Sequence, residues 1–97
     1  MFDYTGQIVR ATAGRDNGNL FCVVGMDEQQ DRLLLADGKR RKAVRPKAKK
    51  LGHVQVLTGA EREYDSPAIQ KLRQGEPVSD RELRRALAAF KEGFKLG

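Results

Sequence analysis

The stretch from Gly6 to Val24, GQIVRATAGRDNGNLFCVV, constrains the fold more than any other part of the chain. Two runs rich in β-branched residues flank a polar segment, Gly14 to Gly18, that has glycine at both ends. β-Branched residues favour strands, and glycine permits the positive φ angles that tight loops need. The stretch therefore predicts a strand, a loop and a second strand. The loop is either an ordinary hairpin turn or a segment with a function of its own.

Positive charge is concentrated in one segment. Residues 39–50, KRRKAVRPKAKK, contain eight of the 19 lysines and arginines and no acidic residue. The net charge is +6, so the rest of the chain carries more acidic than basic side chains. Contact with a polyanion such as RNA explains this segregation, because each neutralised phosphate releases counterions. The alternatives are a solubilising loop that guards an edge strand and a targeting or nonspecific anionic-surface role.

Turn residues divide the first 57 residues into short apolar runs. Asp37-Gly38 is a two-residue hairpin signal, because both residues tolerate positive φ, so a fourth strand is expected to begin near Lys39. Proline cannot donate to a strand ladder, so this strand is expected to end at Pro46, before an irregular link over residues 47–52. The predicted strands cover residues 5–13, 19–26, 32–36, 39–46 and 53–57. Five short strands at this spacing favour a small barrel or sandwich.

The composition after residue 58 becomes charged and helix-forming. Ser66-Pro67 provides an N-cap with proline at the first helical position, which predicts a short helix over residues 67–74. The run Ser79-Asp80-Arg81-Glu82 is a capping box that starts a second helix. Spacings of four, three and four residues give this helix one apolar stripe, made of Leu83, Leu87, Phe90 and Phe94.

The second strand needs cover on both faces, because residues 20–24, LFCVV, are apolar throughout and alternate between its two sides. One face would fill the interior of a barrel, and the other must be covered by something else. The C-terminal portion of the chain is the expected cover, and a partner protein is the alternative. The apolar stripe of the second helix has the same two interpretations. Its arginines, Arg81, Arg84 and Arg85, could extend a basic surface, but the helix also carries Glu82 and Glu92, which favours a mixed and solvated face.

Six residues of the first stretch resemble a KOW motif: Gly6, Ile8, Val9, Gly14, Asp16 and Gly18. The likeness continues through residues 33–38, 45–47 and 53–55, so it covers about the first 57 residues. The chain is similar in this part to small KOW-domain RNA-binding proteins, and these are similar to large-subunit ribosomal proteins of archaea and eukaryotes. The resemblance implies an SH3-like barrel whose KOW loop and neighbouring segments contact RNA or protein partners.

Charge and position together predict the residues that would contact RNA. Arginine can hold a phosphate with two hydrogen bonds and lysine acts as a point charge, and neither requires a particular base. The predicted RNA contacts are Arg15, Asn17, Lys39, Arg40, Arg41, Lys42, Arg45, Lys47, Lys49 and Lys50. Gly6, Gly14, Asp16 and Gly18 are expected to shape the KOW loop. A carboxylate is repelled by phosphate, so Asp16 is expected to fix the loop.

Catalysis is not expected of this chain. Its one histidine, His53, and its one cysteine, Cys22, cannot form a transition-metal cluster, and no nucleophile has a credible triad with the histidine. No cofactor or metal is expected. The sequence contains no apolar run long enough to span a membrane and does not begin like a signal peptide, so a cytoplasmic location is expected.

The sequence therefore predicts a mainly β protein: a small five-stranded SH3-like (KOW) barrel over residues 1–58, followed by two short C-terminal α-helices within residues 59–97. The predicted function is non-catalytic RNA binding, with ribosomal RNA or the large ribosomal subunit as the leading partner. The alternative is a protein-interaction KOW module of the transcription or translation machinery. In that case a protein partner would bind through Leu83, Leu87, Phe90 and Phe94, or through the exposed face of the second strand.

Overall fold

The computed structural model describes residues 2–59 and 63–93, which form one five-stranded antiparallel sheet and two α-helices. The strands are β1 (Ile8–Ala11), β2 (Leu20–Asp27), β3 (Arg32–Ala36), β4 (Lys47–Lys50) and β5 (Val54–Val56). The helices are α1 (Pro67–Arg73) and α2 (Asp80–Gly93), and a short 3₁₀ helix, Leu51–His53, lies between β4 and β5. The predicted mainly β class with two C-terminal helices is confirmed.

The sheet has the order β4-β3-β2-β1-β5, so β2 lies at its centre. In the ladder between β1 and β2, Val9 is paired with Phe21. The ladder between β2 and β3 shifts register between Val23 and Gly25, which marks a β-bulge in β2. Within the described residues β4 and β5 are the two edges of the sheet and do not pair with each other. The sheet is therefore not closed into a barrel.

The prediction of a fourth strand over residues 39–46 is wrong. Residues 37–46 form a loop, and β4 occupies residues 47–50, where an irregular link was expected. The backbone amides that a ladder would use are bonded elsewhere, because Lys39 N and Arg41 N both donate to Asp37 Oδ1, at 2.9 Å each. The strand therefore begins only after Pro46.

Two apolar clusters lie on opposite faces of the sheet. One contains Val9, Phe21 and Leu35 among six fully buried strand residues, and no helix residue belongs to it. Within the described residues, only the strands and segments beside them pack on this cluster, so the sheet curls around it. The other cluster lies between the sheet and both helices; its buried members are Ile8, Cys22, Ala36, Ile69, Leu72, Leu83, Leu87 and Phe90. Both faces of β2 are thus covered by the chain itself.

Local signals in the sequence fix where the helices start. Ser66 Oγ accepts a hydrogen bond from Ile69 N at 3.3 Å and so caps α1. At the start of α2, Ser79 N donates to Glu82 Oε1 at 3.0 Å, and Glu82 N donates to Ser79 Oγ at 3.1 Å. The predicted capping box is confirmed. Lys71 Nζ and Glu82 Oε2, 2.7 Å apart, link the two helices.

The apolar stripe of α2 contributes to the core of the chain. Leu83, Leu87 and Phe90 are all buried, and the ring of Tyr64 meets the ring of Phe90 edge to face at 5.3 Å. Phe94, the fourth predicted member of the stripe, lies outside the described residues. No helix in the described part of the chain is long and apolar enough to cross a membrane.

Replacement of Leu83 by alanine tests whether α2 is part of the core. Because Leu83 is fully buried between α2 and the sheet, we expect Leu83→Ala to lower the free energy of unfolding by about 2–5 kcal/mol. Arg85→Ala on the same helix is the control, with an expected change of about 0.5 kcal/mol or less because Arg85 is exposed. Urea denaturation measures both values, and equal losses would show that α2 does not pack as described.

The reactivity of Cys22 tests how tightly this core excludes solvent. Burial, reinforced by the nearby Asp37 carboxylate, raises the pKa of the Cys22 thiol from 9.0 to about 12. Since the thiolate is the reactive form, we expect the native protein to resist a thiol reagent at pH 8 and the urea-unfolded protein to react at once. The same shift makes stability fall as pH rises from about 9 towards 12, because the unfolded thiol then ionises and the folded one does not. Rapid native labelling would show that the core opens readily.

Candidate nucleic-acid interface

The segment between β1 and β2, residues 12–19, is here called the glycine loop. Gly14 and Gly18 have φ angles of +76° and +90°, in the region that favours glycine. Two turn hydrogen bonds close the segment, from Asn17 N to Gly14 O at 3.2 Å and from Asn19 N to Asp16 O at 2.9 Å. The loop exposes Arg15 and Asn17 and buries Asp16. The two predicted contact residues of this loop therefore face solvent.

The segment between β3 and β4, residues 37–46, is here called the basic loop. Its first turn is closed by Asp37 N and Gly38 N, which both donate to Arg41 O at 3.0 and 3.1 Å. The Asp37 carboxylate accepts two further backbone amides from the same turn. A carboxylate that accepts several amides organises a loop without the help of a strand ladder. The basic loop thus has a defined backbone even though it is not a strand.

Two side-chain contacts join the glycine loop to the β3–β4 region. Arg41 Nη2 donates to Asp16 Oδ2 at 3.0 Å, and the side chain of Asp16 is only 6% exposed. Lys49 on β4 donates from Nζ to Ala13 O at 2.6 Å. The pair Arg41–Asp16 therefore joins the basic loop to the glycine loop, and Lys49 joins β4 to the glycine loop.

Helix α2 holds the basic loop from the other side. Asp80 Oδ1 accepts a hydrogen bond from Ala43 N at 2.7 Å, and Arg84 Nη1 donates to Gly38 O at 2.7 Å. Arg84 is exposed, as expected of a solvated face, and it also anchors the basic loop. Asp80 and Arg84 lie 37 and 46 residues beyond their partners, and no local signal in the sequence points to either contact.

The ten predicted RNA contacts divide into two groups. Eight of them are exposed: Arg15, Asn17, Lys39, Arg40, Lys42, Arg45, Lys47 and Lys50. Arg41 and Lys49 are the other two, and both use their charged groups to brace the loops. Val44, in the middle of the basic loop, is 87% exposed, whereas Gly38 is buried and Ala43 packs against the core, so the loop lies along the surface with its cations outward.

The carboxylates near the basic loop form hydrogen bonds and an ion pair with the loop itself and leave its exposed cations without an ion-pair partner in the described part of the chain. Asp37 and Asp80 accept backbone amides of the basic loop, and Asp16 pairs with Arg41. None of the exposed cations of residues 39–50 forms an ion pair within residues 2–59 and 63–93. Among the described residues, positions 39–50 therefore present six exposed positive charges that form no ion pair, four on the hydrogen-bonded basic loop and two on β4, where Lys47 and Lys50 lie on opposite faces of the strand. Such a surface attracts phosphate groups.

In the part of the chain that the structure describes, no group of three or more histidine, cysteine or carboxylate side chains is placed to hold a metal ion. Comparison of the chain with protein-family models and with curated proteins gave no match.

At Gly38 the basic loop packs closely against the start of α2, and its replacement tests that contact. Its φ is +78°, and a Cβ there would overlap the backbone carbonyl of Asp80. We expect Gly38→Ala to cost about 3 kcal/mol or more, since overlap adds to the backbone strain. Gly18 is the matched control, because its φ is +90° and a Cβ there would have nothing within 4 Å, so Gly18→Ala should cost only about 1–2 kcal/mol.

Denaturant unfolding of the two variants gives the comparison. A larger loss for Gly38→Ala supports close packing of the basic loop on α2. Equal losses would mean that only backbone strain matters and that the loop does not dock on the helix.

Proposed function

We propose that this chain is a non-catalytic RNA-binding protein that contacts the phosphate backbone through the basic loop, β4 and the glycine loop. The observation that carries the proposal is the set of six exposed and unpaired cations within residues 39–50. Phosphate contacts supply most of the affinity in sequence-independent binding to nucleic acids. Arg15 and Asn17 lie on a loop that is braced to the same surface, and they extend it.

Preorganisation of the surface supports the proposal. Binding to a flexible basic tail would cost conformational entropy for each side chain and each backbone segment that becomes ordered. Here Asp37, Asp80 and Arg84 hold the backbone of the basic loop before any ligand arrives. The remaining cost is the ordering of long side chains, so a structured RNA with regularly spaced phosphates suits this surface.

The proposed fold is a partly open SH3-like barrel of the KOW type. Its support is a curled sheet of five antiparallel strands, with glycines of positive φ at positions 6, 14 and 18, where the motif has glycine. The resemblance to KOW-containing ribosomal proteins makes ribosomal RNA, and the large ribosomal subunit in the cytoplasm, the leading target. A protein-interaction module is less well supported, because Leu83, Leu87 and Phe90 are buried in the core.

Gradient sedimentation of a cell lysate tests the proposal with two charge-matched variants. The first changes Lys39, Arg40, Lys42 and Arg45 to glutamine; the control changes Arg10, Arg73, Arg81 and Arg85 to glutamine. All eight side chains are exposed, and both variants lose four positive charges. We expect the wild type and the control to travel with large ribosomal subunits at low salt and the first variant to stay at the top.

High salt should release the wild type, because about four phosphate contacts imply a log–log salt slope of roughly −3 to −4. If the first variant and the control lose binding equally, net charge and not the basic loop is responsible. If the wild type stays at the top at every salt concentration, the ribosomal proposal fails, and interaction with a protein becomes the function to test.

A further inference from the structure

A cleft lies between the basic loop and helix α2. Its volume is about 290 Å³, and Lys39 and Arg40 form one wall while Arg84 and Lys91 form the opposite wall. Asn19, at the end of the glycine loop, also lines it. Three segments that are far apart in the sequence thus meet at one concave site.

The cleft is positively charged and contains almost no compensating acid. Four of its lining residues are cationic and one, Asp37, is acidic. The Asp37 carboxylate already accepts hydrogen bonds from the backbone amides of Lys39 and Arg41. These bonds partly offset its negative charge. Within the described part of the chain Lys39, Arg40 and Lys91 form no ion pair. Like charges that face each other across a cleft repel, so an anion between them would be stabilised by both walls.

The four cations do not play equal parts. Arg84 Nη1 is bonded to Gly38 O at 2.7 Å, which fixes the distance between α2 and the basic loop. Arg84 is therefore a positioning residue. Lys39, Arg40 and Lys91 are exposed and have long side chains that can move towards a ligand. Leu87 also lines the cleft; it is buried and apolar, so it brings no negative charge that would repel an anion.

We propose that this cleft is a phosphate-binding subsite, in which Lys39 and Arg40 from the basic loop and Lys91 from α2 hold one backbone phosphate of a bound RNA. The inference rests on the proposed function and adds the C-terminal helix to the RNA-binding surface. The cleft volume of about 290 Å³ is the volume that roughly ten water molecules occupy in liquid water. A phosphate and its sugar fit in this space, and a duplex does not. The rest of the RNA lies outside, along the basic loop.

The role of α2 in this proposal differs from that of a partner-docking helix. Its apolar face, with Leu83 and Phe90, belongs to the core, and the next face around the helix carries Arg84 and Lys91 to the cleft. Residues 84, 87, 88 and 91 follow the i, i+3, i+4, i+7 spacing of one helix face. One helix therefore stabilises the sheet and completes a ligand site.

The test measures binding of a fluorescent RNA hairpin by anisotropy over a range of KCl concentrations. The variants are Lys91→Gln and, as control, Arg85→Gln; each removes one positive charge from an exposed position of α2, and only Lys91 lines the cleft. Loss of one phosphate contact should reduce the salt slope of Lys91→Gln by about 0.9 and weaken binding at 0.1 M salt about five- to tenfold. Arg85→Gln should change affinity by about twofold or less, because solvent screens a distant charge.

A double-mutant cycle tests whether Lys39 and Lys91, on the two walls of the cleft, contact the same phosphate. If they do, Lys39→Gln combined with Lys91→Gln should weaken binding less than the product of the two single effects. Effects that simply multiply would show that the two lysines contact separate phosphates and would overturn the shared subsite.

The outcomes separate this inference from the proposed function. If the wild type does not bind the RNA hairpin, the proposed function fails and the subsite fails with it. If the wild type binds with a steep salt slope while Lys91→Gln behaves like Arg85→Gln, RNA binding stands and the subsite is wrong. Unfolding free energies of all variants within about 0.5 kcal/mol of the wild type exclude an indirect loss through misfolding.

Discussion

Burial of both faces of β2 is the constraint on which the rest of the structure depends. Phe21 and Val23 point into the cluster that the sheet surrounds, and Cys22 points towards the helices. A central strand with two apolar faces is stable only if each face is removed from water, and each large apolar side chain gains about 1.5–3 kcal/mol when this happens. The sheet and the residues beside it cover one face, and α1 and α2 pack on the other. This packing brings the start of α2 beside the basic loop.

Three aspartates from three parts of the chain then fix the conformation of the basic loop. Asp37 bonds to the first turn of the basic loop, Asp16 pairs with Arg41, and Asp80 accepts the amide of Ala43. Adjacent cations repel one another, and such a run would stay extended and mobile without these contacts. The carboxylates are satisfied by backbone amides or by an inner arginine, so they organise the loop without neutralising its exposed charges. Arg41 and Lys49 thus brace the fold, while six other cations of the same basic segment remain exposed.

Local patterns predicted a large part of this architecture. The bounds of β3, the N-cap at Ser66 and the capping box at Ser79 agree with the structure, because each depends on residues close together in the chain. The fourth strand was misplaced, since Asp37-Gly38 is a hairpin signal only if the following amides are free to form a ladder. Here the backbone amides of Lys39 and Arg41 donate instead to the Asp37 carboxylate. The candidate surface was predicted as a charge run, but the bracing roles of Arg41 and Lys49 and the anchoring by Arg84 were not.

The sequence by itself determined where strands and helices can form and where positive charge accumulates. It also determined that both apolar faces of β2 must be buried. Periodicity, capping and composition are local properties, and the residues concerned act on their neighbours in the chain. Only the tertiary structure decided which cations face solvent and which brace a loop, and that Lys91 lines the same cleft as Lys39 and Arg40. These placements depend on how α2 packs against the sheet. That packing is set by the summed burial of side chains from Ile8 to Phe90 and is not encoded in any single segment.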